Sequence, residues 1–280
     1  MKNIIGKLAR TSVPALLLVC CGWRIQAADV PPPIFPDQNL EKAVRKFVFD
    51  KRDNDKPLIE ADLANLSTLQ GNALGITNLA GLEKCQNLAS LDLAKNKITD
   101  LQPLKSLTKI QYLNLADNPI EDISPLNGII GLQYLDLSHN RVKNLQPLNA
   151  LTNLASLYLS HNQISDISPV VKLPRLASLY LDHNQLKSIH GINGLTSLTT
   201  LSLNHNAIAD LSPLDGLTGL YYLFLENNKI RDLSPLVNMV KKDDAGPKRF
   251  APFLNVYLSG NSPKRSQVSA LKAVGTRVND

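Results

Sequence analysis

The sequence predicts an α/β repeat solenoid, in which short units stack along one axis and each unit adds one strand to a parallel sheet. Three observations support this prediction. One pattern recurs every 22 residues, leucines alternate with outward positions inside each unit, and an asparagine stands at the same place in eight units. Because a solenoid grows by adding units, the 280-residue length does not require several separate cores.

The repeat unit is well defined. It reads L-x-x-L-x-L-x-x-N-x-I-x-D-L-x-P-L-x-x-L. Units begin at Leu66, Leu88, Ile110, Leu132, Leu154, Leu176, Leu198 and Leu220. Seven consecutive steps of one length are the signature of a right-handed leucine-rich-repeat solenoid, a horseshoe or arc with its parallel sheet on the concave side.

Each unit is expected to contain one short strand. In the second unit, the period of two sends Leu91 and Leu93 into the core and Ser90 and Asp92 outward. We therefore expect about nine parallel strands, spaced ~4.8 Å apart. We define the strand face as the outward side chains at the third, fifth and seventh positions of each unit, which are residues 90, 92 and 94 in the unit of Leu88.

An asparagine follows each strand from the second unit onward. Its amide can satisfy backbone groups where the chain turns away from the sheet, which a buried turn requires. The predicted structural ladder consists of Asn96, Asn118, Asn140, Asn162, Asn184, Asn206, Asn228 and Asn261.

The second half of each unit returns along the convex side. Prolines recur there, at Pro103, Pro125, Pro147, Pro169, Pro213 and Pro235. Because proline interrupts long helices, we expect 3₁₀ turns or irregular segments.

The ends depart from the repeat, because they must shield the core. Residues 28–65 read as a Pro-rich extended segment followed by a helical N-terminal cap, with Asp37 as the helix N-cap and an apolar face that includes Phe47. The repeats occupy residues 66–263, with an extended unit at 220–252. Residues 264–280 are expected to form a C-terminal cap helix.

The first 27 residues have the features of a signal peptide. Lys2, Lys7 and Arg10 precede a short apolar stretch at 13–22, and Ala27 ends a plausible cleavage site. That stretch is too short to span a bilayer, which needs ~20 residues. We expect an exported protein, secreted or held in the periplasm or cell envelope, with no transmembrane segment in the mature chain. Lipid attachment at Cys20 or Cys21 is the alternative.

The positive charge lies largely in this leader. Of the formal charge of +6, four units come from the leader, which leaves 26 basic and 24 acidic side chains, or +2. Nucleic acid is therefore not an expected partner. Cys85 is the only cysteine after the leader, so no intramolecular disulfide is expected.

Two runs of sequence resemble a known family. The runs are IFPDQNLEKAVRKFVFD and IEADLANLSTLQGNALGITNLAGLEKCQNLASLDLAKNKITDLQPL. They resemble the N-terminal cap and first repeats of internalins, bacterial surface and secreted proteins whose 22-residue repeats bind host proteins on a concave face. The resemblance implies a binding function, with adhesion as one form of it.

The candidate binding residues lie on the strand face. All seven tyrosines fall on outward strand positions or, for Tyr221, directly beside them. The candidate aromatic residues are Tyr112, Tyr134, Tyr158, Tyr180, Tyr222, Phe224 and Tyr257, and the candidate acids are Asp92, Asp136, Asp182 and Glu226. Tyrosines are favoured at binding hot spots, and the acids would suit a basic protein or peptide. The alternatives are that aromatics simply suit strands and that the acids are ordinary surface charge.

A row of histidines precedes the ladder asparagines at His139, His161, His183 and His205. Such a row could bind zinc or respond to pH. The other interpretation, that histidine is one of several polar residues suited to this turn, is favoured, so no metal or cofactor is predicted.

No catalytic motif is present in the sequence. We therefore predict a non-enzymatic, monomeric binding protein that recognises a protein or peptide. The alternative is a glycan- or cell-wall-binding module, because aromatic residues also suit sugar rings.

Overall fold

The computed structural model describes residues 33–246 and 248–280. The predicted signal peptide, with Cys20 and Cys21, and residues 28–32 of the Pro-rich segment lie outside the described residues.

The described chain is built on one parallel sheet of ten strands, paired in chain order. The strands β1 to β10 are Thr68–Gln70, Ser90–Asp92, Tyr112–Asn114, Tyr134–Asp136, Ser156–Tyr158, Ser178–Tyr180, Thr200–Ser202, Tyr222–Phe224, Asn255–Tyr257 and Arg277–Asn279. The pairing steps by one unit each time, so that Leu135, Leu157 and Leu179 stand side by side. This arrangement confirms the predicted leucine-rich-repeat solenoid.

The core is a continuous stack of aliphatic side chains. The middle residue of each strand from β1 to β9 and the hydrophobic positions of the returning segment are buried, and Leu157 has 0% of its surface exposed. Because every unit supplies the same set of inward positions, the apolar surface of one unit is covered by the next.

The asparagines connect neighbouring units through their side chains. The amide nitrogen of Asn140 donates to the carbonyl oxygens of Leu115, Leu137 and Ser138 at 3.0, 3.0 and 3.1 Å. Its amide oxygen accepts from the backbone N–H of Ile120 at 3.1 Å. One side chain therefore satisfies four backbone groups at a turn that water barely reaches.

The returning segments are mostly 3₁₀ turns, as predicted. Those in the repeats are Leu82–Lys84, Gln102–Leu104, Ser124–Gly128, Gln146–Leu148, Ile192–Gly194 and Ser212–Leu214, and a further 3₁₀ segment, Phe49–Lys51, lies in the N-terminal cap. Pro169 lies in a turn. The expectation was wrong at Pro235, which stands in the first turn of an α-helix, α3 in chain order, at Ser234–Asp244. Proline is compatible with that position because the first helical N–H groups have no partner within the helix.

The helix α3 accounts for the extra residues of the extended unit. Its Asp243, which is buried, accepts hydrogen bonds from the backbone N–H groups of Arg249, Phe250 and Ala251. The carboxylate thereby holds the loop that leads from the helix to β9.

The N-terminal cap contains two helices before β1. These are α1 at Gln38–Phe47 and the single turn α2 at Glu60–Leu63. Asp37 caps α1 as predicted, accepting from the backbone N–H groups of Asn39 and Leu40. Its second carboxylate oxygen accepts from Thr77 and Asn78, which fastens the cap to the first repeat.

The C-terminal end differs from the expected single cap helix. The helix, α4, spans Arg265–Ala273, and a tenth strand follows at Arg277–Asn279, one more than the nine expected. Gly275, with a φ of 89°, turns the chain back, and Val278 pairs with Val256 of β9. Three residues are too few to show strand periodicity in a sequence, and the pairing is supplied by β9.

Candidate binding surface

The strand pairing brings the tyrosines together on the strand face. Tyr112 lies opposite Tyr134, and Tyr158 lies opposite Tyr180. Each side chain points outward because its strand neighbours, such as Leu113 next to Tyr112, point inward.

Four of these rings form one continuous run. Ring centroids are 4.4 Å apart for Tyr112–Tyr134, 5.2 Å for Tyr134–Tyr158 and 4.8 Å for Tyr158–Tyr180. The middle contact is diagonal, because Tyr158 is paired with Asp136 rather than with Tyr134. The structure therefore joins two tyrosine pairs that occupy different positions of the repeat.

A second aromatic group lies nearer the C-terminal end of the sheet. Phe224 stacks on Tyr257 at 4.5 Å, and Tyr222 lies 6.2 Å from Phe224. Tyr222 is 45% exposed. Between this group and the four-ring run lies β7, whose outward residues are the small Thr200 and Ser202.

The tyrosine hydroxyls of the four-ring run stay protonated at neutral pH. Partial burial, followed by nearby carboxylates or tyrosines, raises the pKa of Tyr112, Tyr134, Tyr158 and Tyr180 above the ordinary value of 10.0. These hydroxyls can therefore donate hydrogen bonds to a partner.

The four candidate acids lie on the same face. Asp92 and Asp136 occupy the fifth position of their units, and Asp182 and Glu226 occupy the seventh. None of the ion pairs in the described part of the chain includes any of them. The third, fifth and seventh positions of the units of β1 to β9 contain no Lys or Arg. The strand face is therefore negatively charged.

The acids differ in how much of their hydrogen-bonding capacity is already used. Asp182 accepts from the hydroxyls of Ser160 and Ser202 and from the backbone N–H of Asn204. Asp136 accepts from the backbone N–H of Ser138 at 2.8 Å. Asp182 consequently contributes charge and organises the surface, while Asp136 keeps more capacity to meet a partner.

The histidine row forms a stack of four imidazoles along the edge of the strand face. Centroids of neighbouring rings are 4.1, 4.1 and 4.0 Å apart, with interplanar angles of 13° to 14°. All four residues have φ between 53° and 57°, a left-handed conformation that histidine tolerates better than most residues. Among the described residues, no group of three His, Cys, Asp or Glu side chains is arranged to hold a metal ion.

This stack predicts that folding stability falls as the pH decreases below neutral. Partial burial, followed by neighbouring imidazoles, lowers the pKa of His161 and His183 below the ordinary 6.5. The unfolded chain then binds more protons than the folded one, so the contribution is complete above pH ~6.5 and is lost as the pH falls through the folded pKa values. The melting temperature should decrease as the pH falls below about 6.5, which is above the usual range of carboxylates.

The matched variant is the double change His161→Asn and His183→Asn. Asparagine tolerates the left-handed backbone but does not titrate, so this variant should show a flatter pH dependence of melting. An unchanged slope would assign the effect to other groups.

Cys85 lies in the core and has 0% of its surface exposed. Burial, followed by the charge of Glu83, raises the pKa of its thiol to about 12. The thiol is therefore protonated and unreactive at neutral pH.

The structure also shows a groove, lined by both polar and apolar residues, that the sequence did not indicate. It has a volume of about 440 Å³ and lies between the end of α1 and the start of β1, with Phe47, Val48 and Phe49 along one side. Phe47, expected on the buried face of α1, is partly exposed, and Phe49 is 78% exposed. The guanidinium of Arg52 lies 5.1 Å from the Phe49 ring centroid and partly covers it.

Within the described part of the chain, no helix combines the length and the apolar character that crossing a bilayer requires.

Comparisons with known proteins find the same architecture in other leucine-rich-repeat proteins. A sequence family described as leucine-rich repeats (two copies) matches residues 86–128, 130–172, 152–194 and 196–238. Internalin C2 from Listeria monocytogenes is 40% identical, with a TM-score of 0.70 over 74% of this chain and 91% of that protein. A second Listeria monocytogenes internalin (inlF) is 30% identical, with a TM-score of 0.76 over 91% of this chain and 74% of that protein.

A leucine-rich-repeat protein of Leptospira interrogans, 22% identical with a TM-score of 0.63 over 73% of this chain and 57% of that protein, shares the fold. A comparison with curated protein sequences finds no match.

Proposed function

Because the chain belongs to the leucine-rich-repeat proteins of the internalin type, we propose that it binds a protein or peptide segment through the strand face and catalyses no reaction. The observation that carries this proposal is the continuous run of four tyrosines beside acids that have no ion-pair partner in the described chain. A rigid aromatic surface with hydroxyls at its edge loses little conformational entropy on binding, which favours protein recognition.

The stacking geometry favours a protein over a glycan. Sugars bind aromatic residues by lying flat on an open ring face. In the four-ring run each inner ring is stacked on one side by its pair partner, at 4.4 or 4.8 Å, and is approached on the other by the second inner ring, tilted by 39° at 5.2 Å. The inner rings therefore present edges and hydroxyls, which suit the polar and apolar groups of a polypeptide.

The charge of the strand face favours a basic segment. Four acids and no lysine or arginine occupy its positions from β1 to β9, although the chain as a whole is basic. A positively charged partner would be steered toward this face, and its binding would weaken with increasing salt.

The test of this proposal is a contrast between two faces of the same protein. A pull-down from cell-envelope and host-surface extracts supplies the partner, and affinity is then measured for Tyr158→Ala, Tyr180→Ala and the convex-side variants Lys143→Ala and Lys187→Ala. Truncating an anchoring tyrosine at the centre of an interface costs ~2 kcal/mol or more, roughly thirtyfold in affinity. The lysine variants should bind like the unchanged protein.

Stability must be measured in parallel, because these tyrosines are stacked. Losing one ring contact costs ~1 kcal/mol, which lowers the melting temperature by only a few degrees in a protein of this size. Equal affinity for all four variants would rule out the strand face as the binding surface.

Export is part of the proposal and rests on residues 1–27. The positive residues, the apolar stretch and Ala27 support cleavage after residue 27, with delivery to the periplasm, the envelope or the medium. Mass spectrometry of the exported protein should find Ala28 as the first residue. A lipid-bearing start at Cys20 or Cys21 would show the lipoprotein route instead, and an uncleaved cytoplasmic chain would refute export.

A further inference from the structure

The aromatic surface is interrupted at one strand. The fifth position of the unit holds Tyr158 on β5, Tyr180 on β6, Phe224 on β8 and Tyr257 on β9, but Ser202 on β7. Ser202 is 3% exposed and donates its hydroxyl to Asp182, so it forms the floor of a slot between two aromatic residues.

Aromatic residues stand on both sides of this slot, on the two strands that pair with β7. Tyr180 stacks on Tyr158 of β5 with an interplanar angle of 11°, and its partner on β7 is Ser202. Phe224 stacks on Tyr257 of β9 with an interplanar angle of 19°, lies 6.2 Å from Tyr222 of its own strand, and also has Ser202 as its partner on β7. Neither Tyr180 nor Phe224 therefore has an aromatic partner at the fifth position of β7.

The slot is wide enough to admit one flat group. Two strand spacings separate β6 from β8, which places the two rings about 10 Å apart. A group midway would lie about 5 Å from each centroid, inside the ~6 Å range of a cation–π interaction. A flat group in contact with both rings needs ~7–8 Å, so a small inward rotation of the side chains would close on it.

The charges around the slot select a cation. Asp182 and Glu226 lie at the seventh position of the units on either side. The Glu226 carboxylate has no hydrogen-bond or ion-pair partner among the described residues, whereas Asp182 already accepts three hydrogen bonds. The strand-face positions of β6, β7 and β8 contain no Lys or Arg.

We propose that this slot, lined by Tyr180, Ser202 and Phe224 with Glu226 at its rim, binds an arginine side chain. The guanidinium is flat enough to stack between two rings, permanently charged, and able to donate to the Glu226 carboxylate. The site rests on the proposed function only in that the arginine would belong to the bound partner. The slot would recognise the guanidinium of arginine specifically, rather than any basic side chain.

The test uses small peptides and needs no identified partner. The ¹⁵N-labelled protein is titrated with acetyl-Gly-Arg-Gly-amide and with the matching peptides that contain lysine or citrulline. The arginine peptide should shift the amide signals of Ser202, Asn204 and Glu226, with weak affinity near the millimolar range. The lysine peptide is charged but not flat and the citrulline peptide is flat but not charged, so each should bind at least about fivefold more weakly.

Two variants separate the slot from the rest of the face. Ser202→Tyr fills the slot at a position where four other units carry an aromatic residue, and should abolish the shifts, while Glu226→Gln keeps the shape and should weaken binding several-fold. Ser156→Tyr adds the same side chain two strands away on β5 and should leave binding unchanged.

Equal binding of the lysine or citrulline peptide, no shift with the arginine peptide, or full binding by Ser202→Tyr would each overturn the assignment. The proposed function of the whole strand face can be refuted independently of the slot. An arginine peptide that binds the slot, with no effect of Tyr158→Ala on a protein partner, would retain the slot and remove the larger interface.

Discussion

Replacing Leu157 with aspartate should unfold several neighbouring repeats. Leu157 is the middle residue of β5 and lies between Leu135 and Leu179 in the core, with 0% of its surface exposed. Removing its side chain alone would cost ~2–5 kcal/mol, and burying an unpaired carboxylate adds several more. The carboxyl would have to be protonated or the strand would have to leave the sheet, and the total approaches the whole stability of a typical domain, ~5–15 kcal/mol.

Circular dichroism melting combined with hydrogen exchange read by mass spectrometry measures this effect. Because repeats interact mainly with their neighbours, protection should be lost first in the units of β4, β5 and β6. Ser156→Asp puts the same charge one residue away, on the outward side of the same strand, and should change stability by no more than about 0.5 kcal/mol. Similar melting curves for the two variants would contradict the assigned strand register.

Replacing Asn140 with alanine should lower the free energy of unfolding by about 3 kcal/mol or more, the second-largest effect that we expect. The side chain is 8% exposed and satisfies three carbonyl oxygens and one N–H group of the backbone. Each buried backbone group left without a partner costs ~1–3 kcal/mol. Some of the loss is recovered where water reaches the carbonyl of Ser138, whose residue is only half-buried.

Denaturant unfolding of Asn140→Ala measures this loss. Asn149→Ala is the matched control, because Asn149 is exposed on the convex side and its side chain makes no hydrogen bond among the described residues. A loss below about 1 kcal/mol would show that water replaces the side chain, and that the asparagines follow the turn without stabilising it.

Local periodicity was sufficient to predict the solenoid. A period of two decides which strand residues enter the core, and a repeat of 22 residues with no insertion through seven steps brings equivalent positions into register. For that reason Leu91, Leu157 and the ladder asparagines could be located without any tertiary information. The 22-residue period did not predict α3, where the unit changes length, or β10, which follows α4. Neither element has an equivalent in another unit with which it could be compared.

The detailed chemistry of the strand face depended on the tertiary structure. The sequence places Tyr134 and Tyr158 at different positions of the repeat, and only the packing of two neighbouring strands brings their rings within 5.2 Å. Likewise, the sequence alone does not distinguish Ser202, which becomes the floor of a slot because strand pairing places Tyr180 of β6 and Phe224 of β8 on either side of it. Whether a side chain points inward or outward is decided by its own backbone, whereas what it contacts is decided by the side chains of adjacent strands, which lie about 22 residues away in the chain.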